Sequence, residues 1–462
     1  MKIYFQNSLS RKKEEFKPIK KNKVGLYTCG PTVYDYPHIG NLSAYVIWDV
    51  LKRFLLSQGY QVKHIMNLTD VGHLVSDADE GEDKIETAKR REKKTAWEVA
   101  DYFIEVFQKN IAELNILSPT KFLRATDTIK EQIDFAKVLD EKGYLYKTSD
   151  GMYFDTSKIA DYGRLANLAE VEQQEGARVA KNPEKKNAND FAVWKFSPQN
   201  SQRDMEWDSP WGKGFPGWHL ECSVMSRMEL GDTFDIHTGG VDHMTVHHPN
   251  EMAQSEAFTG KLQANYWLHN QHLRYEGGKM SKSAGVFIKL SDLEEKKYSP
   301  MSFRYFILQN NYRKPHNFSW QALSAAQAGL KNILRSIAFF DQAKAKASKE
   351  FLAEFYTALA DDFNTARALS VLQKVLESKL EDKVKLATVL KMDEVLGFDL
   401  ESLRKRFLDL PEEAKILLKE REVARENKDW ARADQLRDKL VAWQVEVQDT
   451  SAGQKAIYNW LE

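Results

Sequence analysis

Between Val24 and Asn67 two short apolar runs flank one amphipathic segment, and that order strongly favours a parallel sheet. Val24 to Thr28 reads as a buried strand. Leu42 to Leu56 follows as a helix, with Tyr45, Val46, Val50, Phe54 and Leu55 at helical spacing, and Gln61 to Asn67 reads as the next strand. A crossover of that length joins parallel neighbours, not a hairpin. The loop between strand and helix, Cys29 to Asn41, contains glycine and proline. It falls at the carboxyl edge of the sheet, where open α/β folds bind their ligands.

A chain of 462 residues is too long for one core, so a large α/β domain with at least one appended domain is expected. From Leu74 to Lys94 charges dominate, and Asp77 to Lys84 is predicted to be a mobile, exposed loop. Helices are expected to about Gly143, then an insertion with few strong core signals from Tyr146 to Asn189. Sheet character returns at Phe234 to His237 and at His269 to Leu273. After about Pro300 the chain reads as nearly all helical, ending in one long charged helix from Glu412 to about Trp443. Beyond it only Val445 to Val447 has the character of a strand.

Lysine plus arginine, 67, equals aspartate plus glutamate, 67, so net charge argues neither for nor against a nucleic-acid partner. The lysine-rich N-terminus to Lys23 lacks the apolar stretch of a secretory signal, and no run is long enough to span a bilayer. A cytoplasmic location is expected. Two cysteines, Cys29 and Cys222, exclude a disulfide framework and leave two readings, buried thiols or metal ligands.

Two short elements carry chemistry. In Pro37, His38, Ile39, Gly40, Asn41 the loop feeds a helix, where backbone amides and the helix dipole favour an anion. Gly40 would let a flat ring approach, and His38 can donate to a phosphate. Far downstream, Gly277, Gly278, Lys279, Met280, Ser281, Lys282, Ser283 present two ammonium groups and two hydroxyls on a glycine-hinged loop suited to gripping a polyphosphate. Alone, the first also suits a turn with a satisfied histidine, and the second a solvated basic turn. Their joint occurrence in this order is highly specific.

Together the two elements resemble the HIGH and KMSKS signatures of class I aminoacyl-tRNA synthetases. The stretches YTCGPTVYDYPHIGN from Tyr27 to Asn41, GWHLEC from Gly217 to Cys222, FDIHTGG from Phe234 to Gly240 and HHPNE from His247 to Glu251 narrow the resemblance to the cysteinyl-tRNA synthetase family. Asn41 stands where the class pattern often has histidine, and Pro249 where an acidic residue is usual. The likeness runs over essentially the whole chain and implies a Rossmann-type α/β domain split by an insertion and followed by a mostly α-helical C-terminal region. The expected divisions are 1–118 and 206–298 for the two catalytic halves and 119–205 for the insertion. A stem-contact region at 299–347, a helical bundle at 348–405 and an anticodon region at 406–462 would follow.

The resemblance implies a zinc ion on Cys29, Cys222, His247 and Glu251, with His243 and His248 as local competitors for the histidine position. Thiolate, imidazole and carboxylate are all acceptable zinc ligands, and Pro249 suits a helix's first turn, so that His247 and Glu251, four apart, can face one way. It further implies that His38, Lys279 and Lys282 act in catalysis, with His38, Gly40, Asn41 and Lys282 binding ATP and its Mg²⁺. Thr69, Trp218 and His237 would lie at the amino-acid pocket. Arg425, Trp430, Asp434 and Arg437 match positions the family uses for the anticodon; a solvated helix with a half-buried Trp430 is the other reading of that face. The expected partners are tRNA(Cys), ATP and L-cysteine, with no membrane and no second subunit.

Overall fold

The computed structural model describes residues 1–72, 84–166, 183–198, 203–275, 278–279, 287–341, 344–450 and 453–460. Lys282 and most of its loop, residues 77–83 of the expected mobile loop, and 167–182 of the expected insertion lie outside the described residues. The chain divides into two units. One comprises Met1–Leu273 with Lys279–Phe287 and Tyr312–Pro315, and the other the remaining residues to Glu462.

The first unit is built on a five-stranded sheet in the order Ala264–Asn270, Phe234–Gly240, Lys23–Thr28, Gln61–Leu68, Lys121–Arg124. All neighbours are parallel, and the predicted first pair registers Tyr27 opposite Ile65. The chain moves one way from Lys23–Thr28 and later returns on its other side as Phe234–Gly240. The crevice at the ends of these two strands is therefore the topological switch point, where such sheets bind ligands.

The predicted crossover helix is present but starts earlier, at Ile39–Ser57. His38 and Asn41 explain the correction. The His38 ring accepts from the Asn41 N–H while the Asn41 side chain accepts from the His38 N–H, a reciprocal cap that fixes the first turn. Ile39, Gly40 and Asn41 thus belong to the helix and the loop ends at His38. Tyr45, Val46, Val50, Phe54 and Leu55 are all buried, as their spacing predicts.

Other expectations shift. Sheet character expected at His269 to Leu273 starts earlier, in the strand Ala264–Asn270, where all but Asn265 are buried, and Leu273 opens a further short strand, Leu273–Tyr275. Lys121–Arg124, within the stretch expected to be inserted, belongs to the parallel sheet. The insertion itself has a real core. Leu145–Lys147, Gly151–Phe154, Phe191–Phe196 and Gly214–Pro216 form a four-stranded antiparallel sheet, and every residue of Gly151–Phe154 is buried. Its last strand leads into the helix Trp218–Leu230 through Gly217, where a Cβ would meet the Ala192 carbonyl oxygen at 1.9 Å. Only glycine permits that approach.

The second unit is mostly helical, as predicted, from Pro300–Leu308 through Leu400–Leu408, interrupted by the short strand His316–Phe318. Ser299 and Pro300 begin it with a capped first turn. The final long helix is, however, two: Glu412–Glu426 and Trp430–Ala442. Lys428 takes a left-handed φ of 58°, and Asp429 caps the second helix through the Arg432 N–H. The charge pattern runs through this break without proline or glycine, so periodicity alone passes over it. The single expected strand is likewise a hairpin, Val445–Thr450 paired antiparallel with Gly453–Tyr458. Leu418, Leu440, Val445 and Val447 pack into a small core beneath it. The second strand buries only Ile457, so its sequence lacks an apolar alternation to read.

Candidate metal and amino-acid site

Cys29 follows directly on the strand Lys23–Thr28, and its N–H donates to the Thr238 carbonyl of the neighbouring strand at 3.1 Å. Cys222 lies on the helix Trp218–Leu230. His247 opens the helix His247–Thr259, with Pro249 in its first turn and Glu251 one turn on. The four side chains converge, with every one of their donor atoms within 4.8 Å of the others. Tetrahedral zinc, with bonds of about 2.0–2.3 Å, wants donors roughly 3.3–3.8 Å apart. Cys29 Sγ lies 3.8 Å from Glu251 Oε1, and His247 Nε2 3.0 Å from the same oxygen, so small adjustments suffice.

A second four-donor set shares Cys29 and Glu251 and replaces the other two with His237 and His248. His248 Nε2 lies 3.3 Å from Cys29 Sγ, and His237 Nε2 lies 2.9 Å from Glu251 Oε2. The two sets differ in their outer support. His247 Nδ1 is 2.9 Å from His219 Nδ1, and His248 Nδ1 is 2.7 Å from His269 Nε2, which in turn is tied to Ser8 through Nδ1. His237 Nδ1, by contrast, is buried and has no hydrogen-bond partner among the described residues. A ligating histidine ordinarily has its second nitrogen held, which favours the two-thiolate set.

Charge in this cluster is mutually arranged. Burial would raise the Glu251 carboxyl, but the charges and hydrogen bonds of His237 and His247 hold it well below the usual carboxylate range. Burial would lower His247, yet Glu251 and Cys222 push it up to about 10. Cys29 goes up, chiefly through burial; Cys222 goes down, because hydrogen bonds from Cys29 and His247 outweigh its burial. A proton and a metal would thus compete for the same donors, so that any metal affinity would weaken as pH is lowered.

Of the residues expected at the amino-acid pocket, Trp218 and His237 adjoin this cluster. The Trp218 ring stands 4.5 Å from that of His247, and His237 stacks on Trp267 at 4.4 Å. Thr69, just past the strand Gln61–Leu68, is buried and donates its hydroxyl to Glu221 at 2.8 Å. His38 accepts the Asn41 N–H on Nδ1, which leaves its ring proton on Nε2, at the N-terminus of the crossover helix. Lys279 closes the two-residue strand Gly278–Lys279. In the second unit Trp430 is 57 % exposed, so packing does not account for it, and Asp434 and Arg437 share its exposed face. Arg425 stands over the Trp430 ring at 5.9 Å.

Sequence reasoning missed His219, His269, Asn67 and Glu221. A signal existed for the histidines, since six of the eleven fall between His219 and His269. It also missed Asp449, which pairs with both Arg421 and Arg425.

Among the described residues no helix is long and apolar enough to cross a membrane. Comparison with known proteins extends the picture. The sequence profile of the tRNA synthetases class I (C) catalytic domain matches residues 15–328. That of the DALR domain matches 354–401, and that of the cysteinyl-tRNA ligase anticodon binding domain 408–455. Cysteine–tRNA ligase 1 of Burkholderia lata is 48% identical over 98% of this chain and 97% of its own length. The cysteine–tRNA ligase of Novosphingobium aromaticivorans is 45% identical over 96% and 94%. In fold, a Mycobacterium tuberculosis methionyl-tRNA synthetase bound by methionyl-adenylate is similar with a TM-score of 0.55 at 15% identity, covering 84% of this chain and 95% of that one. A parallel sheet of class I topology, a helical C-terminal unit and relatives this similar over nearly full length lead to one conclusion: the chain belongs to the cysteinyl-tRNA synthetase family of class I aminoacyl-tRNA synthetases.

Proposed function

We propose that this chain is a cysteine–tRNA ligase that activates L-cysteine with ATP and transfers it to the 3′ end of tRNA(Cys), with a zinc site selecting the amino acid by its sulfur. The observation that carries the reading is the buried convergence of Cys29, Cys222, His247 and Glu251 at the switch point of the sheet. Zinc bound by these four residues would supply a centre that takes a thiolate far more readily than the harder, more basic oxygen of serine. Selection of that kind exceeds what an apolar pocket achieves against a near-isostere, so no editing site is required.

The reaction comprises two displacements. In the first, the cysteine carboxylate attacks the α-phosphorus of ATP and pyrophosphate leaves. In the second, the terminal ribose hydroxyl of tRNA attacks the acyl carbon and AMP leaves. His38 Nε2–H and the amide of the first helical turn at Gly40 are suited to the charge that grows on the α-phosphate, with Asn41 holding the His38 ring through the cap. Lys279 and Lys282 would hold the β- and γ-phosphates of the Mg²⁺ nucleotide, a role resting on their order in the sequence. Thr69 and Trp218 would orient the amino acid, with His237 bracing Glu251. The enzyme's work is positioning and electrostatics, with no side chain acting as nucleophile. In the second unit Trp430 offers a stacking ring, and Arg425, Asp434 and Arg437 hydrogen-bonding edges, for unpaired anticodon bases.

A cysteine ligase of the same ancestry that joins cysteine to an amino sugar would keep the zinc and ATP sites, but would have no use for the anticodon-type domain at 408–455. Cysteine-dependent ATP/pyrophosphate exchange, followed by acceptor competition, tests the proposal. Charging of tRNA is expected; ligation of the sugar without charging of tRNA would sink it.

A further inference from the structure

A buried chain of hydrogen bonds joins the two cysteine-bearing segments, and its direction is fixed. Gly30, next to Cys29, donates its N–H to Asn67 Oδ1 at 2.7 Å. A Cβ at Gly30 would meet the Asn67 carbonyl oxygen at 1.8 Å, so only glycine allows this approach. With Oδ1 so engaged, Asn67 Nδ2 donates to Thr69 Oγ1 at 3.0 Å, and Thr69 Oγ1 donates to Glu221 Oε2 at 2.8 Å. Glu221 directly precedes Cys222. Asn67, Thr69 and Glu221 are all at most 2 % exposed. The Thr69 backbone is clamped as well, its N–H to the Pro31 carbonyl and its carbonyl to the Val33 N–H, both at 3.0 Å.

A hydroxyl has one proton and two lone pairs. At Thr69 the proton is committed to Glu221 and one lone pair to Asn67. The remaining lone pair can only accept, and the carboxylate behind it makes that oxygen a stronger acceptor. Such an oxygen suits a cationic donor. In L-cysteine the ammonium stands two carbons from the sulfur, and this acceptor belongs to a chain whose two ends are each one residue from a proposed thiolate ligand.

We propose that Glu221 is the positioning residue for the substrate's α-ammonium group, acting through Thr69 Oγ1, so that amine and thiol are read together. The inference rests on the proposed use of L-cysteine. It also gives the buried carboxylate a role that metal binding does not. Glu221 is in neither donor set.

The test compares two inhibitors of cysteine-dependent pyrophosphate exchange: cysteamine, which has thiol and ammonium, and ethanethiol, which has the thiol alone. Wild-type enzyme should prefer cysteamine. In Glu221→Gln that preference should fall about tenfold, the value of a hydrogen bond to a charged group, with ethanethiol inhibition and zinc content unchanged. Glu221→Asp, which keeps the charge, should retain most of it. Should Glu221→Gln fold poorly, Thr69→Val removes the accepting oxygen and should lose the preference likewise. An unaltered preference in the folded variant overturns the inference alone. Absence of cysteine-dependent exchange in the wild type would overturn the functional reading and this inference with it.

Discussion

The candidate metal cluster and the candidate anticodon face around Trp430 are built in opposite ways. Cys29, Cys222, His247 and Glu251 come from three distant chain segments and are at most 7 % exposed. Trp430, Asp434 and Arg437 come from one helix and all are exposed, with Ala433, Leu436 and Leu440 buried on its other side. In the first, the side chains hold one another. Glu251 takes hydrogen bonds from His237 and Gln263, and outer histidines fix the ring planes. In the second, cross-links among the described residues are few, Arg425 over the Trp430 ring being one. A buried site is thus preorganised and brittle, and an exposed face is tolerant and dependent on its ligand.

That contrast can be broken in graded ways. The largest effect is expected in the cluster: Cys222→Ser should abolish stoichiometric zinc and lower cysteine-dependent exchange by more than ~100-fold, above the range that outer-shell changes cost. Metal analysis alongside exchange checks it, and full activity in a zinc-free variant would remove the metal's role. Next, Gly30→Ala forces a Cβ onto the Asn67 carbonyl oxygen and should cost about 1–3 kcal/mol of stability, read by denaturant unfolding. A near-neutral result would mean that the loop carrying Cys29 yields more easily than its contacts imply.

At the exposed face, Trp430→Ala should raise the KM for tRNA about tenfold, the value of one stacked base, while exchange without tRNA stays at the wild-type rate. Equal losses in both assays would contradict the separation of the two regions. The smallest effect concerns pH. Hydrogen bonds and charge from Arg421, with further charge from Arg425, hold Asp449 below the usual carboxylate range. Its folded value being depressed, the stabilisation is fully present above the unfolded value near ~4 and is lost as pH falls through the folded one. Asp449 is partly exposed, so Asp449→Asn should flatten the acid side of the melting profile by only a degree or so, on the order of what a surface pair contributes.

Much of the first region was legible because its grammar is local. The strand, helix and strand from Val24 to Asn67 announce themselves by periodicity, and signature residues sit at their junctions. What local pattern could not reveal was convergence. Asn67 and Thr69 are two residues apart, but nothing near Glu221 in sequence says that it meets Thr69, because that contact forms only when the Trp218–Leu230 helix packs on the sheet. Boundaries slipped where side chains override propensity. The His38 and Asn41 cap pulled the helix start forward, and the left-handed Lys428 divided what charge periodicity presented as one helix. The second strand of the C-terminal hairpin escaped notice because Gly453–Tyr458 fully buries only Ile457.

The most direct test of the central claim is cobalt substitution of the metal site. Stoichiometric Co²⁺ should show thiolate charge-transfer absorption that is lost in Cys222→Ser, grows when L-cysteine is added and stays unchanged with L-serine. A spectrum without thiolate character, or one indifferent to L-cysteine, would contradict the claim that these four residues hold a metal that reads the substrate's sulfur.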